Sequence, residues 1–413
     1  PVGTRMNDTP LRRCASPGNR AGVCEGPVSY KWGLPTFLGT IQRTLAYSPI
    51  DCNALARHAG SWLRSDGPDS DVVVSCRVRL ARNIDGVPFM SQISPEQAED
   101  LCGELRLALL DARLDGETRW VPMGEAPPVL RLLLLERNLV SRDLLPRDAH
   151  STAPGRAVAF GESETVSVMI NEEDHVRLQA MAAGMDLDLA WQRAEILDRF
   201  LEDRLSFATS DTLGYLTGCP TNVGTGLRAS VMLHLPALGM VRSELEKVFA
   251  AAQRTGLAVR GMHGEGSRAA GDLYQISNQV TLGRSERNLI DDLRALVPEI
   301  VRFERRMRET LVSEMRPALH DRISQSFGTL RTSRAMPTDA ALAHLSNVRL
   351  GLHTGLFGGA RIDVLNELGL HVQRGHIQVL TAPGDEGELL DTSERDKLRA
   401  SYLRKRLAGL KEK

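Results

Sequence analysis

The sequence predicts an α+β protein, in which an antiparallel sheet flanked by helices is followed by a small all-helical C-terminal domain. Around residues 72–79 and 166–178, apolar and polar residues alternate, as they do in strands with one buried face. Beyond residue 285 the apolar residues recur at helical spacing instead. The predicted domains are a poorly ordered extension over 1–55, a mixed domain over about 56–308 and a helical domain over about 309–413.

The predicted strands place charged residues at defined positions. Arg77 and Arg79 lie two residues apart in the first strand, so they share one face of it. The strands at about 166–170 and 176–178 form a hairpin-like pair, and an acidic turn, Asn171–Asp174, joins them. Further strands are predicted at 257–262 and 273–282.

The helices are predicted from caps and apolar spacing. Ser94-Pro95-Glu96-Gln97 is a capping box with proline at the first helical position, and it opens a helix that runs to about Leu114. A break near Phe327-Gly328 separates two of the later helices. The other predicted helices cover about 186–207, 230–254, 285–325, 338–350, 361–371 and 393–409.

The composition excludes several classes of protein. The chain has 413 residues, 42% of them hydrophobic and 25% charged, with a formal net charge of −1. This balance gives no support to bulk attraction to nucleic acid or to a membrane surface. No apolar run reaches the roughly 18 residues of a membrane span, and no secretory signal is visible. The six cysteines form no CxxC pair, which favours a reduced, cytoplasmic protein without a metal site.

Arginine is the residue that points to phosphate chemistry. The sequence contains no GxxxxGK[ST] phosphate loop and no HRD or DFG motif of protein kinases. Any nucleotide phosphates must therefore be held by arginines, whose planar guanidinium groups bind phosphate oxygens in pairs. Five arginines lie in the motifs concerned, although any one of them could be a solvated surface charge: Arg77, Arg79, Arg177, Arg228 and Arg260.

Two glutamates and a cysteine are the candidate catalytic groups. A guanidinium has a pKa of roughly 12.5–13.8, so it is a poor nucleophile until a base removes a proton. Glu173 and Glu265 could orient and deprotonate such a group. Cys219 beside arginines could become a thiolate and accept a guanidinium N–H. The alternatives are an ordinary acidic turn for Glu173 and a small buried apolar residue for Cys219.

Five stretches of the chain resemble the phosphagen (ATP:guanidino) kinase superfamily, and within it the bacterial branch that phosphorylates arginine in proteins. The resemblance covers about residues 58–410. The stretches are SCRVRLARN (75–83), VSVMINEEDHVRLQ (166–179), GYLTGCPTNVGTGLRASVMLHLPAL (214–238), VRGMHGEGS (259–267) and QISNQVTLGRSE (275–286).

The resemblance implies an antiparallel sheet flanked by helices, ATP with Mg²⁺, and roles for individual residues. Acceptor binding and proton transfer fall to Glu173, Cys219 and Glu265. Asn138 stands where relatives often carry a histidine near the nucleotide. The other implied nucleotide-binding residues are Ser75, Cys76, Arg77, Val78, Arg79, Arg177, Arg228, Ala229, Ser230, Val231, Met232, Arg260, Gly261, Met262, His263 and Gly264.

The order of the domains and the C-terminal tail favour a protein as the acceptor. Enzymes that phosphorylate free guanidines carry a helical domain before the catalytic one, whereas here the helical domain follows. In the tail, Arg395, Asp396 and Arg399 match the family's RDxxRA motif. Paired arginines suit a phosphate and the aspartate suits a guanidinium, so this motif could bind phosphoarginine. The alternative is an exposed, charged helix face.

The sequence therefore predicts a cytoplasmic protein arginine kinase. The resemblance further implies client proteins marked for a Clp-type protease, a heat-shock repressor as a target, a zinc-binding activator and a homodimer formed through the helical domain. Two rival functions stay open at this point. One is a kinase for free arginine, and the other is a non-catalytic adaptor that binds phosphoarginine.

Overall fold

A computed structural model describes residues 50–145, 154–261, 270–358, 361–382 and 388–408, with backbone only for 411–412. These residues belong to one compact unit of the chain. Within them the strands are β1 Val73–Arg82, β2 Arg119–Pro122, β3 Ala157–Phe160, β4 Val166–Ile170, β5 Val176–Ala183, β6 Thr209–Ser210, β7 Gly214–Tyr215, β8 Leu227–His234, β9 Leu257–Gly261, β10 Leu273–Asn278, β11 Phe357–Gly358 and β12 Lys411–Glu412.

Helices cover both the sheet and the C-terminal part of the chain. They are α1 Cys52–Arg57, α2 Pro95–Ala112, α3 Pro128–Glu136, α4 Leu187–Glu202, α5 Pro236–Met240, α6 Arg242–Arg254, α7 Glu286–Glu314, α8 Arg316–Thr332, α9 Thr338–His353, α10 Ile362–His371, α11 Arg374–Thr381 and α12 Thr392–Arg406. The predicted capping box is present, because the Ser94 side chain accepts from the Gln97 N–H and the Gln97 side chain accepts from the Ser94 N–H.

The central sheet has eight strands in the order β2-β3-β4-β5-β1-β8-β10-β9, and every neighbouring pair is antiparallel. The predicted antiparallel sheet with flanking helices is therefore confirmed. Alternate residues of the central strands enter the largest apolar core, where α2, α4, α6 and α7 cover one face of the sheet. A second core, with α1 and α3, lies against β2, β3 and β4. The opposite face of these central strands carries Arg77, Arg79, Arg177, Arg228 and Arg260.

Two element predictions are wrong. A helix was expected over 230–254, but residues 227–234 form strand β8, and helices α5 and α6 follow it. In β8 the apolar residues Ala229, Val231 and Leu233 enter the core, so the period is two and not 3.6. The second error concerns the break at Phe327-Gly328. Helix α8 runs through these residues, and the interruption lies at Met315, where Pro317 follows in the first turn of α8.

The C-terminal helices α8, α9, α10 and α12 share a core of their own. Helix α7 runs continuously from 286 to 314, across the domain boundary predicted at 308. The predicted extension over 1–55 falls mostly outside the described residues. Its last residues begin α1, in which Cys52 and Leu55 are buried.

Candidate active site

Arginines from four strands lie on the open face of the sheet. Arg79 in β1 is opposite Arg228 in β8, and on its other side it is opposite Gln179 in β5. Arg77 lies two residues before Arg79 and therefore on the same face. Arg177 lies two residues before Gln179, and Arg260 in β9 is opposite Gln275 in β10. The register thus brings together the five arginines predicted from the sequence.

The arginine face is a concentration of positive charge. Burial together with the charge of Arg177 lowers the pKa of Arg77 to about 10. Burial and the neighbouring arginines also lower the pKa of Arg79 and of Arg228. Among the described residues, the Nε atoms of Arg79 and Arg228 are buried and have no hydrogen-bond partner. Buried donors in a cationic cluster fit an anionic ligand such as a polyphosphate, which supplies both charge and acceptors.

Two glutamines hold Arg77 from either side. Its two terminal nitrogens donate to Gln179 Oε1 and Gln275 Oε1, each at 3.3 Å. Gln179 Nε2 in turn donates to the carbonyl of Asn138 at 2.6 Å. Asn138 itself is exposed, with a left-handed φ of 58°. This hydrogen bond ties the backbone of Asn138, a predicted nucleotide contact, to the edge of the arginine face.

Arg177 is held by Glu172 in the acidic turn. Its Nη1 lies 2.7 Å from Glu172 Oε1 and 2.5 Å from Oε2, and the Ser141 hydroxyl also donates to Oε1. Although burial opposes ionisation of Glu172, the charge and hydrogen bonds of Arg177 hold the pKa of this carboxyl below its ordinary value. Glu172 is therefore an ionised partner that orients Arg177 toward the arginine face.

The turn between β4 and β5 sends its acidic residues in different directions. Glu172 and Asp174 are buried, whereas Glu173 between them is exposed. Asn171 and His175 close the turn through a backbone hydrogen bond of 3.0 Å, and the His175 ring accepts from the N–H of Ile84. The outward carboxylate of Glu173 thus stands on a rigid hairpin end.

The loop that carries Cys219 is fastened to this turn at Gly218. The Gly218 N–H donates to Asp174 Oδ1 at 2.6 Å, and a Cβ at Gly218 would lie only 2.7 Å from the Glu173 carbonyl. This contact places the half-buried Cys219 thiol within hydrogen-bonding reach of the Glu173 carboxylate. Cys219 Sγ also lies 3.1 Å from Thr221 Oγ1.

The surroundings of Glu173 suit a base. Although the Glu173 side chain is exposed, partial desolvation raises the pKa of its carboxyl. The negative charges of Asp174 and Glu172 add to the effect, while Arg177 and the nearby Cys219 thiol oppose it. Arg228 lies within electrostatic reach of both Glu173 and Cys219. The carboxylate and the thiol therefore lie next to the arginine face.

Only alternate residues of the predicted nucleotide-binding stretches lie on the open face. Ser75, Ser230 and Met232 share it with the arginines. Cys76, Val78, Ala229 and Val231 point into the core on the other face, where burial raises the pKa of the Cys76 thiol to about 12. Their side chains are therefore separated from the arginine face by the sheet itself. Gly261 ends β9, and Met262, His263, Gly264 and Glu265 lie outside the described residues.

The three residues of the C-terminal motif differ in exposure. Arg399 is buried and donates to the carbonyls of Val372 and Met336 at 2.6 and 2.7 Å, and to Asp396 Oδ1 at 2.6 Å. Arg395 and Asp396 are half-buried. The guanidinium of Arg399 therefore ties α12 to its neighbours, and it leaves Arg395 and Asp396 as the more accessible pair.

Sequence reasoning missed the residues that organise the site. These are Glu172, which binds Arg177; Asp174, which binds the Cys219 loop; and Gln179 and Gln275, which flank Arg77. The alternation in β5 could have placed Gln179 on the same face as Arg177. Glu172 lies only five residues from Arg177, in the acidic turn that the sequence marked. The contacts of Asp174 with Gly218 and of Gln275 with Arg77 join distant parts of the chain, so they depend on the complete fold.

Two family models match the chain. The model for the ATP:guanido phosphotransferase C-terminal catalytic domain covers residues 107–307, and the model for the protein-arginine kinase McsB C-terminal domain covers residues 316–413. A protein-arginine kinase from Halothermothrix orenii is 41% identical over 355 residues, which are 85% of this chain and 97% of the relative.

Solved structures agree with the fold. The duplicated taurocyamine kinase from Schistosoma mansoni, solved with bound transition state analog components, has a TM-score of 0.51 and 27% identity, with 62% of this chain matched to 36% of that longer chain. Lombricine kinase has a TM-score of 0.51 at 24% identity, with 63% of this chain and 72% of that chain covered, and supports the fold alone.

The fold and the matched models define a guanidino phosphotransferase that uses ATP. More particularly, the chain belongs to the protein-arginine kinase family of the ATP:guanido phosphotransferases. In the part of the chain that the structure describes, no helix is long and apolar enough to cross a membrane.

Proposed function

We propose that this enzyme transfers the γ-phosphoryl group of ATP to arginine side chains of client proteins. One structural observation carries the proposal: an exposed carboxylate, Glu173, lies within hydrogen-bonding reach of the Cys219 thiol at the end of an arginine-lined sheet face. The arginine face supplies charge for phosphates, and the carboxylate–thiol pair supplies acceptors for a guanidinium. The protein-arginine kinase relative, matched over nearly its whole length, supports a protein as the acceptor.

In this proposal the arginine face binds the phosphates and stabilises their charge in the transition state. Arg79 and Arg228, with their unpartnered buried Nε atoms, are the central donors. Arg77 and Arg177 are pre-oriented by the glutamines and by Glu172, and Arg260 completes the face. Because the arginines repel a bare cation, Mg²⁺ would be held here only as its complex with the nucleotide, and it would add positive charge beside the phosphates. Asn138, Ser75, Ser230 and Met232 are proposed to line the nucleotide, with Gly261 at the end of β9. Met262, His263 and Gly264, which lie outside the described residues, are proposed as further nucleotide contacts.

Glu173 acts on the acceptor. Its carboxylate orients the guanidinium and takes one N–H proton as the nitrogen attacks the γ-phosphorus. The new bond joins nitrogen to phosphorus, and the bond that breaks joins that phosphorus to the oxygen of the departing ADP. The Cys219 sulfur accepts a second N–H of the same guanidinium. Glu265 is proposed as the second carboxylate.

The C-terminal helical domain is proposed to bind phosphoarginine and to regulate the enzyme. Arg395 would bind the phosphoryl group and Asp396 the guanidinium, while Arg399 holds Asp396 in place. The family resemblance further supports a cytoplasmic homodimer formed through this domain. It also supports marking of clients for a Clp-type protease, a heat-shock repressor among the targets and a zinc-binding activator.

One experiment distinguishes the proposed function from its two rivals, a kinase for free arginine and a phosphoarginine-binding adaptor. An unfolded arginine-containing protein and free arginine are incubated separately with the enzyme and MgATP, and intact masses are measured at neutral pH and after acidification. We expect added phosphoryl masses on the protein that are lost in acid, as P–N bonds are. Product on free arginine alone would contradict the proposal in favour of a small-molecule kinase. ATP binding without any product would favour a phosphoarginine-binding adaptor.

A further inference from the structure

Exposed apolar side chains gather beside the Cys219 loop. Among the described residues, seven large apolar side chains are exposed, and three of them lie on adjoining loops: Leu213 at 43%, Val280 at 57% and Leu282 at 47% exposure. We call these three residues the apolar rim. The other four are scattered singly over helices α2 and α4, the α7–α8 junction and the segment before α12, as is normal on protein surfaces.

Hydrogen bonds fasten the apolar rim to the turn that holds the thiol. The Thr281 hydroxyl, between Val280 and Leu282, lies within hydrogen-bonding distance of two carbonyls, that of Thr221 at 3.1 Å and that of Val223 at 2.7 Å. Thr221 is the residue whose hydroxyl contacts Cys219 Sγ. Val280 and Leu282 therefore lie next to the turn that carries Cys219, a residue of the proposed acceptor site.

The third member of the rim is joined to this turn by backbone contacts. Tyr215 and Gly224 exchange two backbone hydrogen bonds, of 2.8 and 3.3 Å. A Cβ at Gly214 would lie 2.7 Å from the Gly224 carbonyl, and one at Gly224 would lie 2.7 Å from the Thr281 carbonyl. These close backbone approaches link Leu213, through its neighbour Gly214, to Gly224 and from there to the segment that carries Val280 and Leu282.

We propose that the apolar rim is a subsite of the acceptor site, which binds apolar side chains next to the acceptor arginine of a client polypeptide. This inference rests on the proposed function. Three residues of extended chain span about 10 Å, so the neighbours of an arginine bound at Glu173 and Cys219 extend over the adjoining loops. The occupant is identified by this continuity with the acceptor site, because free arginine has no flanking residues that could cover the rim.

The subsite selects for segments that are not folded. Leucine, isoleucine, valine and phenylalanine are mostly buried in native proteins, so an arginine flanked by them is accessible chiefly in unfolded chains. The rim thus adds a sequence preference to a site whose chemistry needs only a guanidinium.

The test compares two short peptides that differ only beside the arginine, one with leucine and one with serine on both sides. We expect the wild-type enzyme to show a kcat/KM about tenfold higher for the leucine peptide, the equivalent of about 1.4 kcal/mol. The variant Val280→Ser with Leu282→Ser should bring this ratio close to one and leave the rate with the serine peptide unchanged. Leu107→Ser, at an apolar residue of α2 that is 63% exposed, is the matched control and should keep the wild-type ratio.

Two outcomes would overturn the inference. A wild-type ratio near one would show that the rim does not contact the client, and an altered sedimentation coefficient of the double variant would then make a second copy of the chain the occupant. An equal loss of rate on both peptides in the double variant would show that the two residues only support the loop. Failure of the proposed function looks different, since then no peptide is phosphorylated by any variant.

Discussion

Asp174 Oδ1 accepts a 2.6 Å hydrogen bond from the backbone N–H of Gly218. The same oxygen accepts from Asn83 Nδ2 at 2.7 Å, so a single buried atom joins the end of β1, the acidic turn and the Cys219 loop. Asp174 does not reach the acceptor side itself. In the proposed mechanism it is a positioning residue, because it fixes the loop whose thiol lies within reach of Glu173.

Asp174→Ala should lower kcat by about 10–100-fold, because the Cys219 loop loses its tether and the acceptor is misplaced. It should also destabilise the protein by about 1–3 kcal/mol, since the donors of Gly218 and Asn83 are left unsatisfied. Asp174→Asn keeps an oxygen in the same place and should restore most of the activity. Turnover and chemical denaturation of both variants check this. Equal defects in the two would show that the charge of Asp174, and not its acceptor oxygen, is what matters.

Gly218→Ala tests the close approach of the loop to Glu173. A methyl group 2.7 Å from the Glu173 carbonyl must push the Cys219 loop away, so we expect at least a tenfold loss of kcat. The control is Gly103→Ala, in helix α2, where a Cβ meets nothing within 4 Å. That variant should keep full activity and gain up to about 1 kcal/mol of stability. Normal turnover of Gly218→Ala would show that catalysis does not depend on the position of the Cys219 loop.

The pH dependence of kcat should reflect the raised pKa of the Glu173 carboxyl. The proposed base, Glu173, would be active when ionised, so the rate should rise with pH through a pKa above the ordinary 4.5 of a glutamate. Asp174→Asn removes a negative neighbour that raises this pKa, so it should move the acid limb of the kcat profile to lower pH. Glu173→Gln should abolish the limb and lower kcat by about 10²–10⁴-fold. An acid limb that persists in Glu173→Gln would assign it to another group.

Arg79 is predicted to bind the phosphates directly. Arg79→Ala should lower kcat/KM for MgATP by about 10²–10³-fold, in line with the loss of one transition-state donor. Arg79→Lys should recover only part of this, because an ammonium group cannot donate in paired geometry. The exposed Arg254 at the end of α6 provides the control, Arg254→Ala, which should bind nucleotide normally. Unchanged nucleotide kinetics in Arg79→Ala would place the phosphates elsewhere.

Two arginines of the C-terminal motif are predicted to have different roles: Arg399 stabilises the fold, and Arg395 binds phosphoarginine. Arg399→Ala should destabilise the protein by about 3–5 kcal/mol, because the carbonyls of Val372 and Met336 and the carboxylate of Asp396 lose a buried cation. Arg395→Ala should change stability by less than about 1 kcal/mol but abolish phosphoarginine binding, measured by calorimetry. Normal binding by Arg395→Ala would exclude this helix face as the phosphoarginine site.

Local patterns predicted the parts of the site that lie within one element. Alternation in β1 placed Arg77 and Arg79 on one face, and the interrupted alternation around 171–174 marked the acidic turn. The pairing of Arg79 with Arg228 could not be predicted from local patterns. The two residues are 149 positions apart in the sequence, and their pairing depends on the order of the strands in the folded sheet. For the same reason, Gln275 as a partner of Arg77 and Asp174 as a partner of Gly218 became visible only in the folded protein.

The most direct test of the central claim uses two forms of one unfolded client, one natural and one with every arginine replaced by lysine. Each is incubated with MgATP and the wild-type enzyme or Glu173→Gln, and intact mass is measured at neutral pH. The account predicts acid-labile phosphoryl masses on the natural client alone, and a rate reduced by at least about 10²-fold with Glu173→Gln. Equal labelling of the arginine-free client, or full activity of Glu173→Gln, would contradict it.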